Sequence, residues 1–520
     1  MDATERLVLA QYARLGAKGK PQRGEWTVLA GIVLSRPDAY ASVVALGTGT
    51  KCLTSTAVAA DGAGGCVHDG HAEVCARRAL LLYAMDQLAL LATPSADASI
   101  FVRDERDGAR GRFRMRAGLE FHMWVSQTPC GDASIYTLDN DSGEDAKLSP
   151  DAPPQKRQRA AAPEDAGAPA GAEGAAHHRT GARPAARAAM EAEAACGGSA
   201  CAVGLARTKP GRGERTCCMS CSDKLARRRR TPNHTSHSHA ATSESGHHGR
   251  SCGGRWHALG MQGALLSHLL AEPLRLTSLT VAPPCSVAAL SRAIVTRVQR
   301  ADAKPLRLGV GTGVKFADGP PESADADARP CTNSIVWAAT GEPAEAINGC
   351  AGVKLGANRK KPSPKHRSAT CKARMLARFD RVCAALEAAE MMPRPPSAAT
   401  DGLADGNADG GNSDGDGGGG VRHAGWWRPL SYREIKRRAT DYQRQKAALL
   451  GSPPLNAWVV APEACEDFCH PCAVAGSQSD SEAAAAMRAR SECSQVTRII
   501  SGCAALGADP RLPESLQRTD

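Results

Sequence analysis

The sequence predicts an α/β domain interrupted by segments that do not pack. Three observations predict it. Strand-like apolar runs alternate with a long helical period in the first 140 residues. Aromatic residues make up only 4% of the chain, while Gly (52) and Pro (32) are abundant, so much of the length cannot bury a core. With 520 residues the chain could hold two or three ordinary domains or one large domain with insertions, and this composition favours the latter.

Residues 27–34 (TVLAGIVL) and 41–48 (ASVVALGT) read as strands, and 71–91 (HAEVCARRALLLYAMDQLALL) as a long amphipathic helix. Residues 119–127 (LEFHMWVSQ) form the next strand, after which TPCGDASIY begins like a helix N-terminus. Late in the chain, Tyr432 to Lys446 reads as a helix whose stripe Tyr432, Ile435, Ala439, Tyr442 ends on Lys446, with Lys436 alongside. The folded domain is expected in four pieces, 1–140, 201–227, 255–393 and 422–475. Between them lie a low-complexity insertion at 141–200, a His/Ser-rich one at 228–254 and a Gly/Asp-rich one at 394–421, with a weakly ordered tail at 476–520.

Lys and Arg number 65 against 54 Asp and Glu, a net charge of +11 that suits a polyanionic partner but is common in proteins with none. The 20 cysteines would fit a secreted disulfide scaffold, but the N-terminus MDATERLVLAQYARLG has no long apolar run and no small-residue cleavage site. A reducing, intracellular location, nucleus or cytoplasm, is expected, and with no run of 18 apolar residues no membrane is expected either. The basic runs at 156–159 and 227–230 fit nuclear import or a solvated linker equally well.

Chemistry is concentrated in a few residues. Hydrolysis at neutral pH needs a hydroxide nucleophile, and zinc lowers the pKa of bound water to about 7 while keeping one coordination position open. Three protein ligands and one proton-shuttling carboxylate are the minimum equipment. His71-Ala72-Glu73 puts an imidazole and a carboxylate within one helical turn, and Pro129-Cys130 adds a thiolate at an expected helix start. H-x-E with P-C is the signature of nucleobase deaminases. The third ligand falls on Cys221 by choice of context, with Cys217 and Cys218 as rivals. Pro-Cys also occurs at 284, 330 and 471, so the dipeptide alone means little; the strand-then-helix context of His71 and Cys130 carries the weight. The plain alternatives are a helix-start histidine and buried apolar cysteines.

GTGTKC (47–52), DGHAEVCARRAL (69–80), SQTPCGDASIY (126–136), LARTKPGRGERT (205–216), MSCSDKLAR (219–227) and RWHALGMQGALLSHLL (255–270) resemble, in order, the catalytic domain of adenosine deaminases acting on RNA. The branch most similar converts the adenosine just 3′ of the tRNA-Ala anticodon to inosine. The resemblance implies a cytidine-deaminase-like three-layer α/β/α core with a C-terminal helical extension around a buried inositol hexakisphosphate. It places the third zinc ligand on Cys221, makes Glu73 the group that moves protons between water, ring nitrogen and departing amine, and sets Thr50 near the target nucleotide. The second cysteine is far from the first, as in the RNA adenosine branch. A loop that is long in double-stranded-RNA editors is shortened here to Lys209–Gly213, and the short N-terminus has no room for a double-stranded-RNA-binding domain. The expected partner is therefore tRNA, with no DNA, no membrane and a monomeric chain.

Basic residues also stand where a core would be. If His71 faces zinc, Arg78 lies on the inward helical face and Arg77 is at i+4 from Glu73, so the two would repel unless an anion met them. On the late helix the lysines read as snorkelling on a solvated face. The resemblance instead assigns Lys51, Arg77, Arg78, Lys224, Lys372, Tyr432, Lys436, Tyr442, Lys446 and Trp458 to inositol hexakisphosphate, with Asp69 and Lys209 relaying to the zinc site. Arg227 is a further candidate, although Arg255 fits the same position, and Val460 and Ala461 replace a Glu and a Lys of the double-stranded-RNA editors. His234, His237, His239, His247 and His248 read as insertion residues, and a second zinc on Cys465, Cys469, His470 and Cys472 has no counterpart in the family. An inactive RNA-binding protein of the same fold and a deaminase of messenger RNA are the alternatives.

Overall fold

The computed structural model describes residues 2–38, 40–137, 177–178, 181–195, 202–211, 214–228, 260–298, 306–321, 328–357, 363–395 and 425–469. Most of the expected insertions, the tail, Arg255, the five insertion histidines, His470 and Cys472 lie outside the described residues.

An eight-stranded mixed sheet is the backbone of the fold. Its strands are β1 (Leu29–Ser35), β2 (Ala41–Thr48), β3 (Glu120–Val125), β4 (Leu276–Val281), β5 (Arg307–Val310), β6 (Asn333–Ala338), β7 (Glu345–Asn348) and β8 (Val353–Lys354). They are ordered 5-4-3-1-2-6-7-8. β3, β4 and β5 run parallel, and every other pairing is antiparallel.

Alternation along β1 divides the core. Leu29 and Val33 face a cluster with Val8, Tyr12, Leu46 and Trp124, whereas Ala30, Ile32 and Leu34 face the larger cluster on the other side. Helix α1 (Asp2–Arg14) covers the first face. It comes so close that a Cβ on Gly31 would collide with the Val8 side chain. Helices α2 (Ala72–Leu90) and α4 (Lys372–Ala388) pack together on the second face. Between them in sequence is the short α3 (Cys221–Arg227). Mixed α/β layering thus holds as expected.

Three local expectations need correction. After β3 no helix starts at Cys130; only one turn of 3₁₀ helix forms, at Asp132–Ser134. Gly131 sits at φ +105°, outside helical space, where a Cβ would strike the Ser220 hydroxyl. The late helix is two helices, α5 (Tyr432–Arg438) and α6 (Thr440–Leu450), broken at Ala439 with ψ 65°. No Gly or Pro explains the break; the Gln443 side chain donates to the Lys436 carbonyl at 2.6 Å, satisfying an acceptor there. Within the stretch expected as a linker, Arg183–Pro184 pairs with Arg207–Pro210, and Arg187–Ala195 is helical. The ladder bonds to Arg207 and Thr208 hold this end of the stretch, which has no apolar period of its own.

Candidate active site

The site is assembled at chain segments entering helices. β2 ends in Gly47-Thr48-Gly49, where the chain must pass close to the α2 backbone. A Cβ on Gly47 would collide with the first turn of α2, and Gly49, at φ +127°, abuts Gly70 and Ser334. The Ser334 hydroxyl fastens that approach by donating to the Gly70 carbonyl at 2.7 Å. His71 then caps α2 in an extended conformation, and Glu73 follows in the first turn, 5% exposed.

Asp69 is the hub. Its Oδ1 accepts from the His71 backbone N–H at 3.1 Å and lies 2.9 Å from His71 Nδ1. The Lys209 ammonium, with no exposed side-chain surface, donates to both Asp69 oxygens at 3.0 and 2.8 Å, and Lys224 donates to Oδ2. Burial alone would raise the Asp69 carboxyl; Lys209, then Lys224 and His71, hold it well below the ordinary range. Burial likewise works against the Lys209 charge, and Asp69 with the two active-site thiols overrides it, holding Lys209 well above its ordinary value.

Lys209 also donates to Cys221 Sγ at 3.2 Å, and the Cys221 backbone N–H donates to Cys130 Sγ at 3.3 Å. A hydrogen bond from Cys221 lowers the Cys130 thiol to about 6 against the opposing effect of burial, helped by Lys209 and His71, while Cys221 is pushed up, by burial first. Ser220 caps α3 by accepting from the Asp223 N–H at 3.2 Å, and buried Asp223 pairs with Arg297 at 2.7 Å. These contacts fix where Cys221 enters the site. Cys217 and Cys218 instead lie on the strand Arg215–Met219, where Cys218 meets both Cys217 and Cys52. The structure therefore brings Cys130 and Cys221 together with Glu73 and His71 close enough to act on their charge. Among the described residues, no three His, Cys, Asp or Glu side chains stand already grouped to hold a metal ion, so the sulfur pair is the preformed part. The same holds for Cys465 and Cys469; Cys465 Sγ is turned to the Val58 carbonyl at 3.0 Å. The Thr50 hydroxyl donates to the Cys331 carbonyl at 3.4 Å.

The expected polyanion residues separate into groups. Arg77, Arg227 and Lys446 surround Tyr442, whose hydroxyl burial would raise but these cations and Lys436 lower. Arg77 is brought down to about 10 by burial first, with Tyr442 opposing and Arg227 and Arg78 adding to the fall, and its Nε is buried without a partner. The Arg227 guanidinium lies 4.5 Å from the Trp458 ring centre. A second group gathers on Glu466, which bonds Lys372 at 3.3 Å and Lys436. Tyr432 stacks on Phe468 with ring centres 5.2 Å apart. Lys224 is committed to Asp69, and Arg78 donates to the Thr370 carbonyl. The Lys51 side chain lies against Gly349 and acts on Cys331. Two members were absent from the sequence reading. Arg228 follows α3 with Arg77 and Arg227 as neighbours, inside the basic run 227–230 that reads as a nuclear-import signal or a solvated linker. Glu466 carries no local signal, since its partners are distant in sequence.

A buried carboxylate beside paired thiols, with an imidazole tied to a buried aspartate, is a residue set that a hydrolytic deaminase on an α/β core could use. The chain belongs to the adenosine-deaminase (editase) domain family, whose model matches residues 45–229 and 251–462, and it is an adenosine deaminase. It is 32% identical to the tRNA-specific adenosine deaminase 1 of Homo sapiens over 387 residues, covering 57% of this chain and 68% of that protein. Against the Mus musculus protein of the same name identity is 28% over 480 residues, covering 74% and 88%. The double-stranded RNA-specific editase Adar of Drosophila melanogaster is 28% identical over 305 residues, 58% of this chain but only 36% of that protein. No helix among the described residues is long and apolar enough to cross a membrane.

Proposed function

We propose that this chain is a zinc-dependent deaminase that converts adenosine to inosine in tRNA, at the adenosine 3′-adjacent to the anticodon of tRNA-Ala. The observation that carries the reading is the Cys130–Cys221 pair with Glu73 buried beside it. The preference for tRNA rests on the chain's spanning 68% and 88% of the Homo sapiens and Mus musculus tRNA-specific proteins against 36% of the Drosophila melanogaster double-stranded-RNA editase.

The donor set suits zinc: two sulfurs in contact, backed by a buried ammonium, and an imidazole whose Nδ1 is tied to a carboxylate, leaving Nε2 for a metal. His71, Cys130 and Cys221 would hold the ion, which supplies the Lewis acidity that makes water nucleophilic at neutral pH. Glu73 accepts the proton of the attacking water and passes it to the purine N1, then takes the proton of the hydroxyl newly formed at C6 and passes it to the departing amine. Asp69 keeps the His71 ring oriented, and Lys209 restrains the charge on the Cys221 sulfur. The partnerless Arg77 Nε and the cations around Tyr442 suit a polyphosphate, and inositol hexakisphosphate held by Arg77, Arg227, Tyr442, Lys446 and Trp458 would neutralise them.

Zinc-loaded protein incubated with a tRNA-Ala transcript is expected to yield inosine at that adenosine, read as guanosine by reverse transcription. Glu73→Gln is expected to keep its zinc and lose at least about a hundredfold in rate. A parent protein that leaves the tRNA unchanged, or a variant as fast as the parent, refutes the reading.

A further inference from the structure

A group of thiols stands behind the active site that the chemistry above does not use. Cys217 and Cys218 lie on the strand that leads into Ser220 and Cys221. Facing them is Cys52, in the segment that carries Thr50 and Lys51, with its backbone bridged to Asp69. The two segments reach one acceptor: the His68 carbonyl takes the Leu53 N–H at 2.8 Å and the Cys218 thiol at 3.6 Å. The Cys218 thiol touches those of Cys52 and Cys217. Cys66 and Cys217 pack with Cys465 around Leu53 and Val58. All five are free thiols; Cys52, Cys66 and Cys217 are half-buried, and Cys218 is 6% exposed.

Buried cysteines are often no more than small apolar residues. Two features separate Cys52 and Cys218 from that case. They come from segments far apart in sequence yet meet side chain to side chain, and one of them borders solvent, as thiol–disulfide exchange requires.

We propose that Cys52 and Cys218 are a redox modification site, closing to a disulfide by exchange with a low-molecular-weight disulfide such as oxidised glutathione. Cys52, the half-buried member that a small disulfide can reach, gives up its proton and attacks one sulfur of that disulfide, breaking its S–S bond; the released small thiolate takes up a proton and leaves as a thiol. The Cys218 thiolate then attacks the Cys52 sulfur of the mixed disulfide and expels the second small thiol. The protein gives up two electrons and two protons, and the small disulfide becomes two thiols, so the exchange balances. Closure withdraws the Cys218 thiol from the His68 carbonyl, next to Asp69, and ties the Thr50 segment to the strand preceding Cys221. The oxidised form therefore turns over substrate more slowly, and a dithiol reductant restores it.

The test uses the zinc-loaded full chain incubated with oxidised glutathione, quenched with acid, alkylated and mapped by mass spectrometry alongside the deamination rate. Expected are a Cys52–Cys218 cross-linked peptide pair and a loss of rate that dithiothreitol reverses. Cys52→Ser and, independently, Cys218→Ala abolish the cross-link and the loss, whereas Cys217→Ser keeps both. No Cys52–Cys218 cross-link in the parent, or undiminished sensitivity in Cys52→Ser, overturns the proposal. The mapping is independent of which RNA is the substrate, so failure of the tRNA reading leaves the cross-link result standing.

Discussion

Two charged regions lie close together in this fold, one buried around Asp69 and one half-buried around Tyr442, and they are built on opposite plans. Around Asp69, one carboxylate serves Lys209, Lys224 and His71, and each cation has a hydrogen-bonded anion. Around Tyr442, Arg77, Arg227, Arg228 and Lys446 face one another with no carboxylate in ion-pair contact among the described residues; burial and mutual repulsion bring Arg228 well below its ordinary value. Buried charge is tolerated when paired and costs several kcal/mol when it is not. The first region is complete within the chain. The second is balanced only once an anion is added, and a polyphosphate fits that need better than a single carboxylate.

The sharpest way to break this comparison is to remove a cation from the complete region. Lys209→Met strips Asp69 of the ammonium that holds both its oxygens and leaves a buried carboxylate on two partners. We expect a loss of about 3–5 kcal/mol in denaturant unfolding, the range for breaking a buried pair, together with weaker zinc retention as Cys221 loses its 3.2 Å donor. A loss under about 1 kcal/mol would show that water already compensates Asp69 and that the two regions do not differ in kind.

Glu466 sits at the border between the plans, a carboxylate shared by Lys372 and Lys436 beside the uncompensated cations. Burial would raise it, but Lys436 and then Lys372 bring it from 4.5 to about 2. Because its folded pKa lies below the unfolded one, its contribution is complete above about pH 4.5 and fades as pH falls toward 2. Glu466→Gln should therefore cost about 2 kcal/mol at neutral pH, and the gap to the parent should close through that acid window, measured by unfolding at stepped pH. Added inositol hexakisphosphate should shrink the neutral-pH cost, since both lysines could turn to it. A gap that persists unchanged to pH 2 removes Glu466 from the account.

How much of this was legible in the sequence depends on whether the signal is local. β1, β2 and α2 fall within two residues of their expected bounds because apolar periodicity is written in neighbouring positions. Helix α1 buries Glu5, Val8 and Tyr12, and with a carboxylate among the three the apolar pattern is too short to stand out. The surroundings of Cys130 were misread because TPCGDASIY looks like a helix start, whereas Gly131, at φ +105° and hard against Ser220, lies outside helical space. The Lys209–Asp69 contact followed from family resemblance alone, as no spacing rule joins residues 140 apart. The division of the expected polyanion residues between Asp69, Glu466 and Tyr442 could not be read at all, because it depends on which partner each flexible side chain meets.

The gentlest probe of the comparison is Trp458. Its ring carries the Arg227 guanidinium at 4.5 Å, the closest substitute for an anion that the second region holds. A partly desolvated cation–π contact contributes about 1 kcal/mol, so Trp458→Leu, which keeps an apolar body in place, should lower stability by about that much. The informative quantity is the response to ligand. If the region awaits a polyphosphate, inositol hexakisphosphate should raise the melting temperature of parent and variant alike, because its phosphates, rather than the ring, then neutralise Arg227. If the ring is what Arg227 depends on, the variant's deficit will stay the same with and without the polyphosphate, and the second region will prove as self-contained as the first.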